Sequence, residues 1–148
     1  AEEEKGIQPF AVKAEVVLDY FDGKDSKVDS MTKFEGVYRA NQGMDYAFNK
    51  EAFDVLASFS GEVSDVKEDN IFGKSVTITS KDLSITYQSL SDITVKKGDK
   101  VNQKDPIAKA GSNIYNKELG NHLHIVVEKN GKIIDPELMY GKTNAEIK

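Results

Sequence analysis

The two histidines of this 148-residue chain, His122 and His124, are the residues best suited by type and spacing to do chemistry. Residues i and i+2 of a β-strand project from the same face, so both imidazoles are expected on one side of a strand. Such a pair can supply two metal ligands or form an acid–base pair. The spacing fits two histidines on a solvated face equally well, and a catalytic zinc ion needs a third protein ligand.

Asp45 is a carboxylate that could be brought to the histidines from far upstream. It follows Asn41-Gln42-Gly43-Met44, a run that contains residues typical of loops. Spacing alone favours an ordinary loop aspartate over a metal ligand. The chain has no cysteine, which excludes thiolate zinc sites, disulfides and cysteine nucleophiles.

Short segments of alternating hydrophobicity indicate an all-β pattern from Asp54 onward. Predicted strands cover residues 55–66, 75–79, 83–88 and 122–127, and a further short strand is predicted at 34–39. Residues 67–70 are expected to interrupt the pattern, and Asn130-Gly131 predicts a hairpin turn. Residues 9–21 fit a helix or a strand, and the tail after Tyr140 is expected to fray or to form a short helix. Several short strands of this kind indicate an antiparallel barrel or sandwich.

Composition excludes several classes of protein. Hydrophobic residues make up 39% of the chain and charged residues 30%, which argues against disorder and against a membrane span. A net charge of -5 gives no overall attraction to nucleic acid. The chain starts with Ala1 and three glutamates, so we expect a mature or excised piece whose anchor or signal lies upstream.

The order of six short motifs resembles the LytM or lysostaphin-like zinc endopeptidase domain, the M23 class. The motifs lie between residues 40 and 140: Gly43-x-Asp45, Gly61-x-Val63, Tyr87-x-x-Leu90, Gly98-Asp99-x-Val101, Gly120-Asn121-His122-Leu123-His124 and Asp135-Pro136. The resemblance implies a mainly β fold, an antiparallel LytM-like sheet and half-barrel of the duplicated hybrid motif type. It places the domain at 34–140, a short N-terminal α/β appendage at 1–33 and a C-terminal tail at 141–148.

Carried over residue by residue, the resemblance makes Asp45 and His124 zinc ligands and His122 a catalytic histidine. Asn41 stands where the first ligand histidine belongs, and Ser89 stands where a second catalytic histidine belongs. A carboxamide is a poor zinc ligand, and a serine cannot replace an imidazole at neutral pH. We therefore expect no zinc cofactor and no peptidase activity.

Two other functions stay open at this stage. The chain could still be a zinc endopeptidase that acts on peptidoglycan peptides, if another group supplies the third ligand. It could also be a module that binds peptidoglycan in the groove without cutting it.

Within the M23 class, Tyr87-Gln88-Ser89-Leu90-Ser91 resembles a sporulation branch of spore-forming bacteria whose zinc site is often damaged. The residues 16–21, Asn113-x-Tyr115 and Gly120-Asn121-His122 add to this likeness. The branch implies a single-pass anchor in the forespore membrane and a domain that faces the space between forespore and mother cell. It also implies stage III sporulation protein AH as the partner, in a channel or zipper that forms during engulfment.

A partner strand could add to an exposed edge of such a sheet. The candidate strands are 74–79 and 83–90, whose polar faces carry Ser and Thr. The residues predicted to contact the partner are Lys74, Val76, Thr77, Thr79, Ser84 and Thr86. The alternative is that both strands lie in the interior of the sheet.

Overall fold

The structure is a computed structural model that describes residues 4–12, 14–18, 31–34, 37–40, 44–48, 51–69, 73–112 and 120–147. Asn41, Asn113 and Tyr115 lie outside the described residues. The strands run in this order: β1 Glu15–Leu18, β2 Met31–Phe34, β3 Val37–Ala40, β4 Met44–Ala47, β5 Asp54–Leu56, β6 Gly61–Asp69, β7 Gly73–Ser80, β8 Leu83–Ser91, β9 Lys100–Val101, β10 Pro106–Ala110, β11 Leu123–Lys129 and β12 Lys132–Ile134. Two 3₁₀ helices follow, Pro136–Leu138 and Asn144–Glu146.

One large antiparallel sheet holds most of these strands, in the order β1-β4-β11-β8-β7-β6-β9. Strand β10 pairs with β5 and β8, and β12 pairs with β11, whereas β2 and β3 form a separate two-stranded sheet. The predicted mainly β, antiparallel LytM-like fold is confirmed. In the described part of residues 1–33, the regular structure consists of strands. No helix in the described residues is long and apolar enough to cross a membrane.

The predicted alternation of buried and solvent-facing residues is present in the central strands. Leu83, Ile85 and Tyr87 of β8 are buried, and the polar residues between them are half-buried. Strand β11 repeats the pattern with Leu123 and Ile125 at 0% exposure. Because the two strands are neighbours, their apolar faces form one continuous core.

Three predicted strand boundaries are wrong. Residues 55–66 do not form one strand, because β5 ends at Leu56 and β6 begins at Gly61. Residues 34–39 do not form one strand, because Phe34 pairs with Val37 across the β2–β3 ladder and the chain direction reverses between them. The glycine at position 36 is the turn signal that the strand pattern overlooked. Residues 67–69 do not interrupt a strand, because β6 continues to Asp69. Lys67 and Glu68 are exposed there, and backbone pairing tolerates charged side chains that face solvent.

The end of β11 and the C-terminal residues are joined by a buried lysine. The predicted turn after β11 is confirmed, with Asn130 and Gly131 at φ values of 54° and 79°. Just before it, the Lys129 ammonium group donates to the Asp82 carboxylate at 2.7 Å and to the carbonyl and the side-chain oxygen of Asn144. The predicted short C-terminal helix is present at Asn144–Glu146, and Ile147 beyond it is 1% exposed.

Candidate functional site

Strand pairing places Asp45 and His124 opposite each other in the middle of the sheet. Strand β4 lies between β1 and β11, and Asp45 is directly across from His124 in the β4–β11 register. The Asp45 carboxylate Oδ1 lies 2.8 Å from His124 Nδ1. Asp45 is fully buried, and the His124 side chain is 16% exposed. Two residues that are 79 positions apart in sequence therefore form one hydrogen-bonded pair.

His122 approaches the same carboxylate from just before β11. Its backbone N–H donates to the Gly111 carbonyl at 2.8 Å, and its ring Nδ1–H donates to the Gly120 carbonyl at 2.8 Å. Its Nε2 lies 3.5 Å from Asp45 Oδ2. The expected same-face histidine pair is confirmed, and the loop interpretation of Asp45 is wrong. The solvated-face alternative is wrong for His122, which is 0% exposed.

Asp45 makes the two histidines electrostatically different. Burial lowers the pKa of His122, and the nearby charge of Asp45 does not offset this effect. Burial also acts to lower the pKa of His124, but the charge of Asp45 and its hydrogen bond outweigh burial and raise the pKa. His124 is therefore the imidazole that more readily carries a positive charge beside the carboxylate. With Nδ1–H of His122 donated to a carbonyl, a neutral ring turns its Nε2 lone pair toward Asp45.

Ser89 lies at an irregular point of β8, next to the site. The β7–β8 register shifts around it, and its φ of 64° is in the left-handed region, which a non-glycine residue rarely occupies. Its hydroxyl donates to the Gly111 carbonyl at 3.0 Å, and the Gly111 N–H donates to the Ser89 carbonyl at 2.7 Å. Ser89 thus connects to His122 through the Gly111 carbonyl, which accepts from both.

Gly111 is the functional residue that the sequence does not single out for this role. A Cβ at this position would lie 3.1 Å from the Leu90 carbonyl carbon and 3.2 Å from its oxygen, so a side chain here would push the β8 backbone away by a few tenths of an ångström. The available signal is a glycine directly after the β10 alternation. Its hydrogen bonds with Ser89 and His122 become apparent only once the pairing of the strands is known.

The donor set at the site is incomplete for zinc in the part of the chain that the structure describes. Asp45 and His124 are of the right chemical types, but they are directed at each other as a hydrogen-bonded pair. Among the described residues, no group of three or more His, Cys, Asp or Glu side chains is arranged to hold a metal ion. The Asn41 position, predicted as the remnant of the first ligand, falls outside those residues.

The residues predicted to contact a partner lie on β7 and β8, which are interior strands. Strand β7 pairs with β6 and β8, and β8 pairs with β7 and β11, so the alternative interpretation is the correct one. Val76 is fully buried and its side chain faces the core. The hydroxyl groups of the predicted set bond to one another on the other face, with Thr77 and Thr86 at 3.1 Å and Thr79 and Ser84 at 3.4 Å. Contact of Lys74 or these hydroxyls with a partner stays a prediction.

Comparison with known proteins assigns this sheet to a family. The family model described as "Peptidase family M23" matches residues 39–136, a range that includes Asp45, Ser89, Gly111, His122 and His124. The chain belongs to peptidase family M23. The predicted M23 family assignment is confirmed, and the roles that the motif resemblance gives to Asp45 and His124 stay predictions.

The M23 domain is similar to a sporulation protein and to solved M23 structures. It is 37% identical over 115 residues to stage II sporulation protein Q of Bacillus subtilis, which covers 76% of this chain and 41% of the relative's length. It matches a chain in a structure of the SpoIIQ–SpoIIIAH pore-forming complex with a TM-score of 0.92 and 31% identity, over 99% of this chain and 97% of that one. It is also similar to the catalytic domain of the M23 protein EnpA from Enterococcus faecalis, solved as a single-site mutant. That match has a TM-score of 0.68 and 26% identity, and it covers 92% of this chain and 98% of that one. The predicted sporulation branch is confirmed.

Proposed function

We propose that this M23 domain docks a partner protein and does not cut peptide bonds. The proposed partner is the ectodomain of stage III sporulation protein AH. One observation carries the proposal: 99% of this chain matches, at a TM-score of 0.92 and 31% identity, a chain in a structure of the SpoIIQ–SpoIIIAH pore-forming complex. The shared backbone shape supports a shared docking geometry, because interface backbones usually move little when such complexes form.

The chemistry of the site supports the non-catalytic part of the proposal. Zinc hydrolases use three protein ligands and one open position for water. Asp45 and His124 supply two ligands of the right type, and Asn41 places a carboxamide at the position that the resemblance gives to the third. The Ser89 hydroxyl donates a hydrogen bond to the Gly111 carbonyl, and serine has no imidazole that could take part in peptide hydrolysis. We therefore propose that the domain holds no zinc as a resident cofactor.

The cellular setting is also a proposal, because the chain spans 41% of the length of the curated relative. We place the domain at the forespore membrane, held by a single-pass anchor, with the domain in the space between the two membranes. Binding to the partner across that space would form a channel or zipper during engulfment.

One observation supports the alternative that the domain is a peptidase. Asp45, His122 and His124 still converge, as a hydrolase of this family requires. A peptidoglycan-binding module is the further alternative, and binding of muropeptides by the isolated domain would support it.

The experiment compares the two activities in one preparation. Purified domain is incubated with peptidoglycan peptides and added Zn²⁺, and the products are separated by chromatography. The same domain is tested for capture of the purified partner ectodomain. We expect capture and no new peptide products. Digestion in the presence of Zn²⁺, with no capture of the partner, would establish the peptidase alternative.

A further inference from the structure

The described residues leave one edge of strand β6 open along most of its length. On one side it pairs with β7 from Glu62 to Asp69. On the other side, β9 pairs only with Gly61 and Glu62, and Val63 is bonded to the loop just before β9, at 2.8 Å to Gly98 and 2.8 Å to Asp99. No described residue pairs with the backbone of residues 64–69 on that side, which we call the β6 edge.

The strand register identifies which backbone groups point out of the β6 edge. The β7–β8 hairpin has a two-residue turn, so its closing pair Ser80 and Leu83 is hydrogen bonded and every second residue of β7 faces β8. By this count Val76 and Lys74 direct their backbone groups to β8. Their partners across the β6–β7 ladder are Val66 and Glu68, whose N–H and C=O groups must therefore point outward.

Val63 gives an independent check of this count. It lies opposite Ile78, which also faces β8 by the same alternation, so its backbone groups should point away from β7. They do, because the Val63 N–H donates to Asp99 and its carbonyl accepts from Gly98. The β-bulge between Val63 and Asp65 then resets the alternation, so that Asp65 and Lys67 bond to β7.

The β6 edge is the longest open edge among the described strands of the large sheet. Strand β9 has two residues, β12 and β5 have three each, and β1 has four. Six residues in extended conformation span about 20 Å, which is the length of an average strand. An edge of that length offers enough backbone groups to hold an added strand.

The side chains of the β6 edge fit one added strand with an apolar residue at its centre. Val66 is 36% exposed and lies opposite buried Val76, so it extends the apolar face of the core to the edge. On the other face, the Lys67 ammonium group lies 3.3 Å from the Asp65 carboxylate, which leaves no uncompensated charge in this pair. An edge lysine and a bulge limit indiscriminate pairing at the edge of a sheet.

We infer that an extended segment of the partner ectodomain adds to the β6 edge as a further strand and covers Val66 with an apolar side chain. This inference rests on the proposed function, because it assumes that partner. The partner's backbone bonds to the outward groups of Val66 and Glu68, which supply affinity, while the contact over Val66 supplies selectivity.

Adjacent proline substitutions test the inference, because they remove N–H groups that point in opposite directions. Glu68→Pro removes an outward N–H, and proline is tolerated on an edge strand when its N–H faces solvent. Glu68→Ala is the matched control that removes the side chain alone. We expect Glu68→Pro to weaken partner binding at least about tenfold and Glu68→Ala to change it less than about threefold. Lys67→Pro, which removes a bond to β7, is expected to lower the unfolding temperature much more than Glu68→Pro.

Titration of the parent chain with the purified partner ectodomain separates the possible failures. If the parent does not bind the partner, the proposed function fails. If the parent binds and Glu68→Pro binds equally well, the inference fails while the proposed function stands. If the parent forms a dimer that Glu68→Pro abolishes, the occupant is a second copy of this chain and the inference is overturned.

Hydrogen exchange keeps the inference testable should Glu68→Pro not fold. In the parent chain, the amides of Val66 and Glu68 are expected to exchange rapidly and to slow at least about tenfold on addition of saturating partner. Lys67, whose amide already bonds to β7, serves as the internal reference. Unchanged exchange at both outward amides in the bound state would overturn the inference.

Discussion

The interior and the open edge of this sheet offer different chemical groups for contact. In the interior, β4 and β11 place the Asp45 carboxylate against two imidazoles, and the contact is made by buried side chains. At the β6 edge, the side chains of Ser64, Val66, Lys67 and Glu68 are exposed, and the groups available for strand pairing are backbone N–H and C=O. A sheet can therefore keep a hydrolase-like centre as structure while its edge supports a docking function.

The difference also separates what each region contributes to stability. A buried carboxylate–imidazole pair is costly to break, because the group that remains is left without its partner in a medium of low polarity. An exposed ion pair on an edge strand contributes little, because water screens both charges.

Asp45→Ala is expected to destabilise the fold by about 3 kcal/mol, because it leaves the His124 imidazole without the buried carboxylate that it hydrogen bonds. The free energy of unfolding from urea titration measures this. The matched change at the edge is Asp65→Ala, which removes the carboxylate beside Lys67 and is expected to cost at most about 0.5 kcal/mol. An equal loss of unfolding free energy in the two variants would show that the buried Asp45–His124 pair contributes no more to stability than the exposed ion pair.

Asn41→His is expected to tighten Zn²⁺ binding at least about hundredfold relative to the parent, because it restores a third ligand of the preferred type. Calorimetric titration with Zn²⁺ measures the change. Asn41→Ala is the control, since it alters the same position without adding a donor. Zinc affinity that is the same in all three proteins would mean that position 41 does not converge with Asp45 and His124.

Ser89→Gly is expected to leave the protein about 1 kcal/mol more stable than Ser89→Ala. Both variants lose the hydroxyl bond to Gly111, but glycine accommodates a φ of 64° without the strain that alanine retains. This order is the reverse of that expected for a regular strand, where glycine is the less stable residue. Urea unfolding of the two variants decides the matter, and alanine as the more stable residue would contradict the irregular geometry of β8.

Much of the fold could be predicted from the sequence, because period-two burial depends on local pattern. Leu123 and Ile125 alternate with polar residues in the sequence, and they are buried in the structure. The same periodicity placed His122 and His124 on one face. The resemblance of the motif order to M23 domains predicted that Asp45 lies beside them, whereas the spacing of the residues alone did not.

The unpredicted features depend on which strands are neighbours. Alternation shows that residues 74–79 and 83–90 have two faces, but it does not show that β6 and β11 cover both of their edges. The charged run at 67–70 looked like an interruption because side-chain polarity hides a strand that pairs through its backbone. Gly111 gained its role only when the register placed its carbonyl between Ser89 and His122.

Titration calorimetry with the stage III sporulation protein AH ectodomain tests the central claim most directly, performed once with a zinc chelator and once with added Zn²⁺. A docking domain without a zinc cofactor is predicted to bind the partner with the same affinity in both buffers. Absence of binding in the chelator, with binding or peptide hydrolysis appearing only when Zn²⁺ is added, would contradict the account.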